Sequence, residues 1–149
     1  TNVLGSRAKV RPVAEDLEFA LKRIYSDRKL DFDLSGLGGC SVRCETQDLE
    51  EMLGNLMDNA CKWSKGRVIV HCKGSKGRCI LYVEDDGPGI PEDKIEQVMQ
   101  RGQRLDDSRE GHGLGLSIIQ DVVELYGGKL SLSRSVHGGL SARLDLPGA

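Results

Sequence analysis

Between Glu50 and Trp63 the chain reads EEMLGNLMDNACKW. On a helical wheel with Glu51 at zero, Asn55, Asn59 and Lys62 fall at roughly 40°, 80° and 20°. Leu49, Met52, Leu53, Leu56, Ala60 and Trp63 fall between roughly 100° and 200°. One face is core. The other carries two amides between a carboxylate and an ammonium. Asparagine is a poor helix former and adds no charge, so a merely solvated face is a weak account of the pair. Amide oxygens are hard neutral ligands suited to Mg²⁺ already held by phosphates, and Lys62 can meet a phosphate as a point charge.

Two glycine loops lie downstream. Asp85-Asp86-Gly87-Pro88-Gly89-Ile90 follows an apolar run. A carboxylate at a strand end can accept a hydrogen bond from an exocyclic amine such as that of adenine. Gly87 and Gly89 permit positive φ or the close approach of another backbone, and Pro88 fixes φ between them. DG and PG dipeptides also make plain turns. The second loop, Gly111-His112-Gly113-Leu114-Gly115-Leu116, runs into an apolar periodic segment. Alternating glycines there expose N–H groups beside a positive helix N-terminus, which is a phosphate cradle. Its spacing is neither a dinucleotide fingerprint nor a Walker loop. Arg101, Arg104 and Arg109 precede it with Asp106 and Asp107, a charged segment able to fold over an anion.

These groups need a scaffold. Periodicity predicts helices from Pro12 to about Arg28, from an N-cap at Thr46 to Trp63, over Glu92–Arg101, and over Leu114–Tyr126 ended by Gly127-Gly128. In the first of these Val13, Leu17, Ala20, Leu21 and Ile24 recur at three- and four-residue steps. Strands are predicted at Leu30–Leu34 and Cys40–Glu45, with hairpins joining 67–73 to 78–84 and 129–134 to 140–146. Residues 1–9 read as a frayed polar lead-in, and 102–113 as a mobile loop. Mixed strands and helices with antiparallel hairpins favour an α+β two-layer sandwich over a doubly wound sheet.

The 149 residues suit one domain, and a formal charge of −2 argues against a general nucleic-acid binder, which needs a basic face. No apolar run reaches the ~20 residues of a membrane span, and no signal peptide is evident. The five cysteines, Cys40, Cys44, Cys61, Cys72 and Cys79, are odd in number and fit no common disulfide scaffold. Reduced, half-buried thiols of a cytosolic domain are the expectation. A zinc set of Cys40, Cys44, His71 and Cys72 is the alternative, without the usual Cys-X-X-Cys pairs.

The order N-x-x-x-N-A on a helix, D-x-G-x-G after a strand and G-x-G-x-G-L before a helix resembles the N, G1 and G2 boxes of the GHKL ATP-binding superfamily, over about Arg11 to Pro147. Within it the chain resembles the catalytic and ATP-binding domain of bacterial sensor histidine kinases. The runs GNLMDNACKW, VEDDGPGIP and RGQRLDDSREGHGLGL are most similar to the PhoQ type. The resemblance implies a Bergerat-type sandwich, a mixed, mostly antiparallel sheet on three helices with a flexible ATP lid. It implies that Asn55 and Asn59 hold Mg²⁺, Lys62 contacts phosphate and Trp63 flanks the base. Asp85 would bind the adenine amine, and Gly87, Gly89 and Ile90 would shape the base pocket. Arg104 and Arg109 would reach phosphate from the lid. Gly111, His112, Gly113, Leu114, Gly115 and Leu116 would form the phosphate loop and helix start. The F box departs from the family, with Val98-Met99-Gln100-Arg101-Gly102 lacking its aromatic, and His112 stands where the PhoQ-type pattern has Gln.

Such kinases phosphorylate a His within an H-E/D-x-x-x/T-P context on a dimerisation domain. His71, His112 and His137 stand in no such context. The expectation is therefore a lead-in over 1–10 from a missing dimerisation domain, then a catalytic domain over 11–149 that binds Mg·ATP without phosphorylating itself. Partners implied are the dimerisation domain of a homodimeric parent and a response regulator, with no nucleic acid. The parent would be a bacterial inner-membrane protein, with this domain on its cytoplasmic side and membrane contact only through missing segments. The alternatives are a GHKL ATPase of the gyrase, Hsp90 or mismatch-repair type, in which Glu51 matches the water-activating Glu, and an anti-sigma-type serine kinase.

Overall fold

The computed structural model describes residues 5–99 and 116–149. In chain order the elements are β1 (Ala8–Lys9), α1 (Val10–Ile24), β2 (Asp31–Gly36), β3 (Ser41–Val42), α2 (Thr46–Trp63), β4 (Arg67–Ser75), β5 (Arg78–Asp85), α3 (Glu92–Met99), α4 (Leu116–Leu125), β6 (Lys129–Arg134) and β7 (Leu140–Pro147). A five-stranded sheet has the order β2-β4-β5-β7-β6. Its β2–β4 pair is parallel and the other three pairs are antiparallel. The expected two-layer α+β sandwich with a mixed, mostly antiparallel sheet is the observed architecture.

Alternation along the strands turns Val68 and Val70, Cys79, Leu81 and Val83, Leu130 and Leu132, and Ala142, Leu144 and Leu146 into one core with the helices. Helix α2 is its spine, burying Leu49, Met52, Leu53, Leu56, Met57 and Ala60. Each of these Leu and Met side chains contributes about 1.5–3 kcal/mol relative to exposure. A Cβ on Gly54 would stand 3.2 Å from Leu17 Cδ2, so the lack of a side chain lets α1 approach α2 closely. Arg28, just beyond α1, donates to the carbonyls of Cys61 and of Ser64 (2.9 Å), satisfying acceptors at the α2 C-terminus. Helix α4 ends as its glycines predict. Gly127 has φ +66°, and the N–H groups of Gly127 and Gly128 bond to Glu124 and Val123 carbonyls.

Several expectations change. Thr46 is the first residue of α2 rather than its N-cap; Glu45 holds the cap position without a side-chain bond. Ala20 and Ile24 of the expected apolar stripe are exposed, because α1 turns Val10, Val13, Ala14 and Leu21 inward. The strand expected over Cys40–Glu45 shortens to β3, and residues 8–9 are not frayed. Ala8 pairs with Val42 and Lys9 with Ser41. Part of the segment assigned to the lead-in is therefore a paired strand. The expectation of reduced cysteines is also corrected. The loop after β2 brings Cys40 onto β4, where it forms a disulfide with Cys72 across a Cα–Cα distance of 6.7 Å. Cys44, Cys61 and Cys79 are buried thiols, and desolvation pushes Cys79 up to about 11 and both others to about 12. The proposed zinc set does not assemble, since His71 Nε2 lies 2.5 Å from Glu84 Oε2.

Candidate functional site

The polar stripe of α2 forms as its periodicity predicts. Asn59 is nine-tenths buried at the edge of the core, and Asn55, one turn earlier, is half-buried. Asn59 Nδ2 donates to Asn55 Oδ1 at 3.4 Å, so the two amides face each other. Lys62 and Glu51 are exposed. Asp58, which lies on the same stripe and was not singled out from the sequence, holds Lys62 Nζ at 3.4 Å with Oδ2 and accepts the Tyr25 hydroxyl at 2.6 Å with Oδ1. Burial raises the Tyr25 phenol, and the Asp58 bond adds to the shift.

Strand β5 delivers Asp85 to the same place. Its side chain is 3% exposed. Oδ1 accepts the Gly87 N–H at 2.8 Å and the Leu140 N–H at 3.4 Å. Desolvation raises its carboxyl above the ordinary value, and these two backbone donors oppose that rise. The neighbouring Asp86 does something else. Its Oδ1 accepts the N–H groups of Lys65 (2.8 Å) and Arg67 (3.2 Å), fastening the α2–β4 connection. Of the two adjacent acids, Asp85 faces the hollow and Asp86 holds a loop.

The glycines are there for close approach. A Cβ on Gly87 would stand 2.0 Å from the Trp63 carbonyl oxygen, and one on Gly139 would stand 2.0 Å from Asp85 Oδ1. Gly89 has φ +74° and lies against the Gly139 carbonyl. Ile90 is half-buried against the core. Gly139 belongs to the β6–β7 turn, which sequence reasoning treated only as a turn. That turn is held by Ser135, whose hydroxyl donates to Glu84 Oε1 at 2.6 Å and accepts the His137 N–H at 3.0 Å. Glu84 also meets His71, and hydrogen bonds from Ser135 and His71 outweigh desolvation to lower its carboxyl.

A narrow hollow results, lined among others by Asn59, Trp63, Val83, Asp85, Leu116 and Leu140. It joins the α2 stripe to the acid at the end of β5, with apolar walls between them. Leu116, the first residue of α4, is buried against it. Arg104, Arg109, Gly111, His112, Gly113, Leu114 and Gly115 lie outside the described residues, as do Arg101 and Gly102 of the F box.

A buried acid at the end of the sheet thus lies across an apolar slot from an Asn-bearing helix. Residues 44–149 match the family of histidine kinase-, DNA gyrase B-, and HSP90-like ATPases, and the chain belongs to that family. Within it, this is an ATP-binding catalytic domain of the sensor histidine kinase kind. It is 44% identical over 125 residues to the sensor protein kinase CarS of Pseudomonas aeruginosa, covering 84% of this chain and 28% of CarS. It is 38% identical over 144 residues to the two-component sensor PhoQ of the same organism, covering 97% of this chain and 32% of PhoQ. The chain thus spans about a third or less of these relatives. The solved mycobacterial sensor histidine kinase MprB superposes with a TM-score of 0.82 at 28% identity, covering 96% of this chain and 98% of that one. Among the described residues no helix is long and apolar enough to cross a membrane.

Proposed function

We propose that this domain binds Mg·ATP in the hollow between α2 and the end of β5 and presents the γ-phosphoryl group to a histidine on a separate dimerisation domain. The shared hollow of Asn59 and Asp85 carries this reading. Asp85 Oδ1 is engaged by two backbone N–H groups, so Oδ2 is the oxygen that accepts the adenine amine. Trp63, Val83, Leu116 and Leu140 wall the base, and the Gly87–Ile90 turn closes its rim. The donor set fits a hard divalent ion. Asn59 and Asn55 lie side by side, and amide oxygens are hard neutral donors, so the pair would hold the ion through oxygen. Bound Mg²⁺ neutralises phosphate charge. Lys62 would leave Asp58 for the phosphates, an exchange between exposed partners that costs little. Arg104, Arg109 and the Gly111–Leu116 run, with His112, would close over the phosphates. Catalysis by such a site is positioning and charge stabilisation, and the base for the acceptor imidazole belongs to the other domain.

By this reading residues 11–149 are the catalytic domain, and the segment before them leads from the dimerisation domain of a homodimeric parent. That parent passes phosphate to a response regulator and is held at the bacterial inner membrane by other segments, with this domain cytoplasmic. Calorimetric titration with Mg·ATP tests the site: Asn59→Ala and Asp85→Ala sharply weaken binding and His137→Ala does not. Equal affinities in all three variants refute it. With γ-labelled ATP the chain alone stays unlabelled, and a dimerisation domain supplied in trans gains acid-labile label. Acid-stable label indicates a serine kinase instead, and hydrolysis that depends on Glu51 indicates an ATPase.

A further inference from the structure

At the far end of β5 from Asp85, three sulfurs from three chain segments meet. The Sγ atoms of Cys40, Cys72 and Cys79 all lie within 4.8 Å of one another. The β4–β5 register pairs Gly74 with Cys79 and Cys72 with Leu81, so Cys72 and Cys79 are diagonal neighbours on one face, with sulfurs 3.3 Å apart. Cys40 arrives from the β2–β3 connection. Its carbonyl accepts the Val10 N–H at 3.1 Å, and the β1–β3 pairing anchors the residues that follow it. The donors are thus placed by backbone hydrogen bonds rather than by the sulfurs themselves.

We propose that the reduced protein binds a thiophilic divalent cation of the zinc type through Cys40, Cys72 and Cys79, and that the Cys40–Cys72 disulfide is the metal-free, oxidised form of the same site. Three thiolates at ~2.3 Å from one tetrahedral ion stand about 3.8 Å apart, within the observed spread. Thiolate donors select soft or borderline ions over Mg²⁺ and Ca²⁺. A divalent ion leaves one net negative charge on the set and a monovalent ion two, which favours the divalent ion at a partly buried site. Cys40 and Cys72 are half-exposed, so an ion can enter and solvent can take the fourth position. His71, on the opposite face with Glu84, is not a ligand. Interconversion is balanced. A dithiol reductant gives two hydrogen atoms to the Cys40 and Cys72 sulfurs and becomes a disulfide itself, and the cation then displaces three thiol protons.

The full chain is reduced with a dithiol, freed of it by gel filtration under nitrogen, and titrated with Cd²⁺ while thiolate-to-metal charge-transfer absorption is followed. Zn²⁺ affinity is then read by competition with a chromophoric chelator. One equivalent saturates the band; Cys72→Ser and Cys79→Ser each weaken Zn²⁺ by about a hundredfold; His71→Asn leaves it unchanged; and the oxidised protein shows no band until it is reduced again. Nucleotide affinity, set about 20 Å away along β5, reports whether each variant is folded. Alkylation of the unmutated reduced protein needs no variant, and Zn²⁺ protects the half-exposed Cys40 and Cys72 from iodoacetamide. Absence of a Cd²⁺ band, Zn²⁺ binding no tighter than in Cys72→Ser, or no protection of these two thiols overturns the proposal.

Discussion

Gly139→Ala aims at the acid of the site without removing any polar group. Its Cβ would lie 2.0 Å from Asp85 Oδ1, 2.4 Å from the Asp85 carbonyl oxygen and 2.7 Å from the Gly87 nitrogen. Two of these atoms are backbone. The third belongs to a short side chain held by two N–H donors, so no flexible tip can swing aside. Either the carboxylate turns away from those donors or the β6–β7 turn lifts off β5. Overpacking of this kind costs about 1–3 kcal/mol, which lowers the melting temperature by roughly 3–10 °C for a chain of this size. Displacing the carboxylate also removes a charge-assisted hydrogen bond to the base, about 1.5–3 kcal/mol, or roughly a ten- to hundredfold loss of ATP affinity. Calorimetry with Mg·ATP and a thermal melt measure both. Gly74→Ala is the control, since a Cβ there meets nothing within 4 Å. If Gly139→Ala binds ATP within twofold of the unmutated chain and melts with Gly74→Ala, the packing argument around Asp85 is wrong.

Ser135→Ala removes the hydroxyl that ties the same turn to Glu84 and leaves a buried carboxylate oxygen without that donor; a loss of about 1–3 kcal/mol in denaturant unfolding is expected with weaker ATP binding, and an unchanged unfolding midpoint contradicts it. Acidification should act on binding before it acts on folding. The Asp85 carboxyl is raised by desolvation, so it takes its proton at a higher pH than an ordinary Asp, and ATP affinity is expected to fall there. Glu84 is lowered, so its stabilising contribution is present above its unfolded pKa and is lost only as pH falls through its lower folded value. Affinity and melting temperature measured on the same pH series separate the two, and a simultaneous decline counts against the assignment of Asp85 to the base.

The parts of the site legible in the sequence are those whose geometry is local. A 3.6-residue period suffices to set Asn55 and Asn59 on a stripe apart from Leu49 and Leu56, and an apolar alternation ending in Asp-Asp-Gly suffices to place an acid at a strand end. Sequence alone does not separate the tasks of Asp85 and Asp86; that depends on which backbone amides come near, and those of Lys65 and Leu140 arrive through strand pairing. Gly139 looks like any hairpin glycine until the β5–β7 register sets its turn on Asp85. Asp58 was visible on the α2 stripe, but its partner Tyr25 is 33 residues away. The disulfide was illegible for the same reason. Cys40 and Cys72 are separated by 32 residues, and only the folding of the β2–β3 connection onto β4 joins them. Strand β1 is two residues long, too short for any period to show.

These differences in range imply a division of labour within the hollow. The α2 stripe sits on the outer side of a helix whose packing is secured by its apolar face, so Asn55, Lys62 and Glu51 are held by nothing the core depends on. The acid side is the reverse. Asp85, Gly87 and Gly139 interlock through backbone contacts below ordinary van der Waals separation for any added atom, and Glu84 and Ser135 brace that knot from the neighbouring residue and from the same turn. On the proposed reading, substitutions at the outer positions Glu51, Asn55 and Lys62 therefore change what is done with the phosphates while leaving the fold intact, whereas the buried Asn59 is tied to both. On the same reading, substitutions around Asp85 change base recognition and stability together, because one set of close contacts supplies both.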